Sequence, residues 1–139
     1  MNAGVLVREF LLAQDSVTTL LGNNPNGSIY AGSDLPEGFK PELGAGILLS
    51  RSGGIPPAEI QQLHITRLHV CVWADVEQYE KASSVFDAVA DVLHGAANLP
   101  LEEGYLLSAV QVQDAEEMTD PDTAWVCVYG FFTIMSRPN

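Results

Sequence analysis

Apolar positions recur with two different periods along this chain. Over residues 3–13 they return every three or four places: Leu6, Phe10 and Ala13 share one face while Arg8 and Glu9 point to water, which predicts a helix. The stretch DSVTTLLG (15–22) adds a short helical turn that Asp15 or Ser16 can cap and Gly22 can end. Residues 22–28 read as a turn, IYAG (29–32) as a short edge strand, and 33–44, with two prolines, as a loop.

A period of two then takes over. AGILLSR (45–51) and IQQLHITRLHVCVWA (60–74) predict strands; in the second, Leu68, Val70 and Val72 share one face, and Arg67, His69, Cys71 and Trp73 the other. Between them, SGGIPPAE (52–59) cannot be a central strand or a helix interior. That connection has Arg51 before it and holds Ile55, Pro56 and Pro57; it is longer than a hairpin needs, so a mobile surface loop and an arm that orders against a partner both fit.

From Asp75 the period returns to that of a helix. Asp75 can serve as N-cap with Gln78 completing a capping box, and Ala74 and Tyr79 fall at staple positions. Tyr79, Ala82, Phe86, Val89 and Leu93 form the apolar stripe of a helix over 76–94, which Gly95 ends. Its other side carries Glu77, Glu80, Asp87 and Asp91. Residues 96–104 predict a loop and 105–117 a strand, with Leu106, Ser108, Val110 and Val112 on one face. Residues 118–123 predict a turn and 124–136 a last strand that is apolar on both sides: Trp125, Cys127, Tyr129 and Phe131 on one, Val126, Val128, Phe132 and Ile134 on the other. Such a strand needs cover on both faces, some of it from the short N-terminal helices and some from a second subunit. The order helix, hairpin, helix, hairpin predicts an α+β fold, with a mostly antiparallel four-stranded sheet packed by one long helix and the N-terminal helices, as a single domain over 1–139.

Composition narrows the function classes. With 139 residues, 47% hydrophobic, the chain can bury a core without metals or disulfides. No apolar run approaches the roughly 20 residues of a bilayer crossing, and Arg8 and Glu9 interrupt the apolar N-terminus, so neither a membrane span nor a signal peptide is expected. Cys71 and Cys127 are expected as buried free thiols of a reducing cytoplasm, with a cross-strand bridge as the alternative. The net charge of −12 excludes a clamp on nucleic-acid phosphates. It fits plain solubility, and it also fits a surface that stays near DNA without holding it.

Candidate chemistry is sparse. No phosphate loop, dinucleotide fingerprint, HExxH or CxxC occurs. His64 and His69 project to opposite faces of one strand and cannot share a metal, and His69 beside Cys71 lacks a third partner. DAEEMTDPD (114–122) places Pro121 between Asp120 and Asp122 and has no glycine, unlike a calcium loop. Neither cofactor nor metal nor catalytic group is expected.

The phrases VTTLLG, SIYAG, a strand ending in VCVWAD that runs straight into EQYEKASSVFDAVADVLHG, the turn DPDT and the final strand AWVCVYGFFTIM follow one another in a recognisable order. In this the chain resembles the tail terminator (tail completion) proteins of long-tailed bacteriophages and prophages, over nearly its whole length; the step Trp73-Ala74-Asp75 carries most of the likeness. The resemblance implies a non-enzymatic virion protein of the tail–neck region, assembled in the bacterial host cytoplasm. It implies a hexameric ring that caps the tail tube, ends its polymerisation and meets the head connector or head-completion protein, while DNA passes through without specific binding and no membrane is involved. On this reading Arg51, Ile55, Pro56, Pro57, Trp125, Tyr129 and Phe131 make subunit or partner contacts. Glu77, Glu80, Asp87, Asp91, Glu116, Glu117, Asp120 and Asp122 supply an acidic or channel surface. Another head–tail joining component, or a small adaptor that binds a peptide or strand at a sheet edge, are the alternatives.

Overall fold

The computed structural model describes residues 2–22, 27–55 and 63–138. Helix α1 (Ala3–Leu12) is followed by the single turn α2 (Asp15–Thr18), which tightens into a 3-10 turn at Thr19–Leu21. Strands β1 (Ile29–Ala31), β2 (Gly46–Ile55) and β3 (His64–Ala74) precede helix α3 (Tyr79–Leu93); β4 (Ala97–Pro100), β5 (Tyr105–Thr119) and β6 (Val126–Arg137) follow it. The strands form one six-stranded mixed sheet in the order β1-β2-β3-β6-β5-β4. Only the β1–β2 pair is parallel; the other pairs are antiparallel.

This corrects the expected four-stranded sheet. IYAG forms a strand that pairs with Ile47–Leu49, and residues expected in a loop form β4 against Tyr105–Ser108. IYAG forms the short edge strand expected of it; β4 is too short to show a period of its own, so only the neighbouring edge that accepts its backbone groups defines it. The connection expected at 52–59 also begins as strand: β2 runs on to Ile55 through a bulge between Arg51 and Gly54. Pro56 and Pro57 lie outside the described residues.

The core lies between one face of this sheet and the helices. Leu68, Val70 and Val72 of β3, Val128, Phe132 and Ile134 of β6, and Ile47 and Leu49 of β2 meet Leu6, Val7 and Leu11 of α1 and Ala82, Val85, Phe86, Val89 and Leu93 of α3, all buried. Phe86 can bring the tip of its ring close to the sheet because β6 carries Gly130 beneath it; a Cβ there would stand 2.8 Å from Phe86 Cζ. Asn2 caps α1 by accepting the N–H of Gly4 at 2.9 Å. Arg8 and Glu9, expected in water, tie α1 to its surroundings. Arg8 Nε donates to the Ile29 carbonyl at 2.7 Å, and the Glu9 carboxylate accepts the N–H groups of Glu102 and Glu103 at 2.8 and 2.9 Å.

Three local expectations change for identifiable reasons. Helix α3 starts at Tyr79 rather than 76, because Glu77 takes a left-handed backbone (φ 65°). The Asp75 carboxylate therefore accepts the adjacent Val76 N–H while its backbone carbonyl accepts the Gln78 N–H at 3.0 Å, no capping box forms, and Tyr79 is an exposed first-turn residue instead of part of the core stripe. In β5, a bulge between Leu106 and Ser108 shifts the parity: Leu106 and Ala109 point into the core, and Val110 and Val112 are exposed. The cysteines are joined as a cross-strand disulfide, Cα to Cα 6.3 Å, where free thiols were expected. The β3–β6 register places Trp73 opposite Cys127 and Cys71 opposite Tyr129, so the two sulfurs meet on the diagonal of one face.

Candidate interaction surface

The second face of the sheet has no α-helix over it among the described residues. At the end nearest Ala74 the 33–44 segment crosses it, and Leu35 and Tyr30 pack with Leu48, Trp73, Tyr129 and the Cys71–Cys127 disulfide in a small second cluster. Phe39 stands edge-on to both Tyr30 and Trp125, with ring centroids 5.9 and 5.4 Å apart. Further along the strands this cover stops. There His69 stacks on Phe131 at 4.8 Å, Tyr129 meets His69 edge-on at 5.2 Å, and the Arg67 guanidinium lies 4.2 Å above the Phe131 ring. Tyr129 donates its hydroxyl proton to Glu116 at 2.7 Å, and that carboxylate holds the phenol above its ordinary pKa. Burial pushes the His69 imidazole below its ordinary value. His69 Nε2 and Trp73 Nε1 are buried with no hydrogen-bond partner among the described residues.

Of the expected contact residues, Trp125, Tyr129 and Phe131 are brought to this face, and all three are half-buried. Arg51 is not with them. It sits opposite Leu68 and continues the Ile47–Leu49 alternation on the helix-bearing side, exposed. For Ile55 the backbone is defined as the end of β2. The ladder of exposed Arg67 with half-buried Phe131, His69 and Tyr129 was missed as a unit, although the alternation of 67–73 already placed Arg67 and His69 on one side; the pairing of β3 with β6 then sets Phe131 opposite His69.

The acidic residues divide into two groups. Glu80, Asp87 and Asp91 line the exposed side of α3, and Glu77 precedes that helix in a turn. Glu116 and Glu117 belong to β5, as the strand expected over 105–117 has them, and they project to opposite faces, opposite Tyr129 and Val128. Asp120 shapes the β5–β6 hairpin: its carboxylate accepts the Asp122 N–H at 3.1 Å and the Thr123 hydroxyl at 2.9 Å. Asp122 is exposed at the tip. At the same end Leu43, Tyr79 and Met118 are exposed, 82%, 46% and 45% respectively, a second apolar patch beside Glu42, Glu77, Glu80 and Glu117.

Cys71 is tied up in the disulfide, so His69 has no thiol beside it. No group of three or more His, Cys, Asp or Glu among the described residues could hold a metal ion. No helix among them is long and apolar enough to cross a membrane.

No protein-family model matches the sequence, and no curated protein matches it. Among solved structures the chain is similar to a chain of "Virion of native gene transfer agent (GTA) particle", with a TM-score of 0.66 at 17% identity, over 97% of this chain and 94% of that one. The two therefore share a fold from end to end.

Proposed function

We propose that the chain is a non-enzymatic structural protein of a phage-like particle, and that within it the chain forms a ring, six copies around, that caps the tail tube and joins it to the head connector. The observation that supports this most is the end-to-end fold likeness to a chain of a gene transfer agent virion. The half-covered aromatic face adds to it, since the partly buried rings of His69, Tyr129 and Phe131 suit a surface completed by another subunit. In this reading Trp125, Tyr129 and Phe131 face a neighbour, while Ile55, Pro56 and Pro57 belong to an arm that reaches the tube or the next copy.

The test is to find the chain in purified particles and to image particles made without it. Loss of the ring should give tails of uncontrolled length without heads. Tails of normal length detached from heads would assign it instead to another head–tail joint. Intact, infectious or DNA-transferring particles lacking the chain would sink the proposal altogether.

The acids would line or flank the DNA path. A duplex carries one charge per roughly 1.7 Å of axis, so a basic wall would hold it, whereas carboxylates close to the hole keep it moving. Salt screens this beyond about 8–10 Å, so only the group next to the hole can act. Reversal of Glu77, Glu80, Asp87 and Asp91 to Lys, or of Glu116 and Asp122 to Lys with Asp120 kept for its turn and Glu117 left in place, should slow DNA release for one set once ring formation is verified, most at low salt. If both reversed particles release DNA at the normal rate, the charge serves solubility.

A further inference from the structure

The sheet ends in two steps. On one side β1 stops at Ala31, opposite Leu49, with a last bond from the Gly32 N–H to the Leu49 carbonyl; from Arg51 to Ile55 no strand among the described residues lies outside β2. On the other side β4 and the residues before it reach only Ala109, and His94 Nδ1 takes the Gln111 N–H at 2.9 Å; from Val112 to Thr119 no strand among them lies outside β5. An unpaired edge is a template for another strand unless something blocks it. Every residue of Arg51–Gly54 is exposed, as is most of 112–119, including Val112 and Met118.

We propose that these two edges pair with each other between copies of this chain, so that the sheet runs on from one subunit into the next. This rests on the ring reading above and specifies its contact. Three observations lead to it. First, direction: β2, β3, β6 and β5 are joined by three antiparallel pairings, so β2 runs opposite to β5. A rotation about an axis near the strand direction therefore brings the β2 edge of one copy antiparallel to the β5 edge of the next, the arrangement that closes a ring head to tail. The open stretches lie toward opposite ends of the sheet, and tilting the strands to the axis takes up that stagger, as it does in a closed barrel.

Second, charge. The β5 edge carries Asp114, Glu116 and Glu117, which repel most strands, including another β5. Of the outward edges β1, β4, Arg51–Ile55 and Val112–Thr119, only the β2 stretch carries a Lys or Arg, and that is Arg51. Arg51 lies opposite Leu68 and Glu117 opposite Val128, both core residues beneath the helices, so in the joined sheet Arg51 and Glu117 stand on the same side. Third, approach. Gly53 and Gly54 leave the β2 edge bare of side chains, with φ of 105° and 144° that favour glycine, and another backbone can come close. The acids thus act as a lock that this chain's own β2 fits.

The test uses the full chain in its assembled form. Arg51→Glu and Glu117→Arg are both at exposed positions, and melting curves confirm that the variants fold. Each alone should weaken ring formation at least tenfold by native mass measurement, and the double reversal should restore it. Hydrogen exchange at 112–119 should slow on assembly. If rings form while 112–119 exchanges as fast as in the free subunit and neither reversal matters, edge pairing is overturned and the ring reading stands. Protection of 112–119 only when tail tubes are added would give that edge to a tube strand and overturn the copy-to-copy pairing. If wild-type chain gives no ring on particles or tubes, the ring reading fails first and this contact with it.

Discussion

The two faces of the sheet are closed in different ways. One is sealed by α1, α2 and α3, and its side chains form a continuous core from Leu6 to Ile134. The other is covered at one end by the 33–44 segment and a disulfide, and is left half-open at Arg67, His69, Tyr129 and Phe131. On the first face Glu9 and Asn2 satisfy backbone N–H groups at the rim, and Ser136 lies buried with its hydroxyl unmatched among the described residues. The second holds an imidazole and an indole whose polar atoms find no partner among the described residues. What separates the faces is cover: the helices close one over its whole core, while on the other the cover stops and leaves the rings of His69, Tyr129 and Phe131 half-buried.

This contrast predicts which substitutions cost stability and which cost assembly. On the helix-bearing face, Phe86→Ala should lose about 3–5 kcal/mol, since the ring fills a buried site over Gly130. Gly130→Val should destabilise through the same contact from below. An unchanged melting temperature for either would mean that the helix does not pack there. On the other face, Cys71→Ala should cost up to about 4 kcal/mol by freeing a loop of 56 residues in the unfolded chain. Loss of the same stability on adding a reductant to wild-type protein would confirm the bond; no difference between oxidised and reduced protein would remove it.

Phe131→Ala should cost only about 1–2 kcal/mol, because the ring is half-buried, yet should impair assembly more than Phe86→Ala does after correction for the folded fraction. Equal effects on assembly would erase the distinction between the faces. A smaller effect concerns His69. Its pKa is lowered in the folded chain, so the unfolded chain binds its proton first. Stability from this site is therefore full above about pH 6.5 and falls as pH drops from there toward the lower folded value, and His69→Phe should flatten that slope. A melting profile of the same slope in both proteins would count against it. Smallest of all, Ser136 is buried on the core side with its hydroxyl unmatched among the described residues, so Ser136→Ala should be neutral or slightly stabilising. A loss above about 1 kcal/mol would reveal a hydrogen bond to the hydroxyl.

How far the residues alone reach can be seen strand by strand. Regular alternation determined the two faces of β3 and β6, and the i, i+3, i+4 spacing determined the stripe from Ala82 to Leu93, because each of these elements buries one side and repeats its period several times. Gly95 ends that helix as read, with φ 88°. The tertiary structure decided what local pattern cannot carry. β4 exists because β5 offers it an edge, and β1, legible as a short edge strand, finds its parallel partner only in β2. The parity of β5 flips at a bulge that only its register with β6 reveals. Cys71 and Cys127 become partners because strands 56 residues apart in sequence lie side by side. Glu9, polar and apparently solvated in the sequence, turns out to clamp a distant turn. The aromatic ladder and the open edges belong to this second class. They depend on which strands are neighbours and where those neighbours stop, and a period along one strand contains neither.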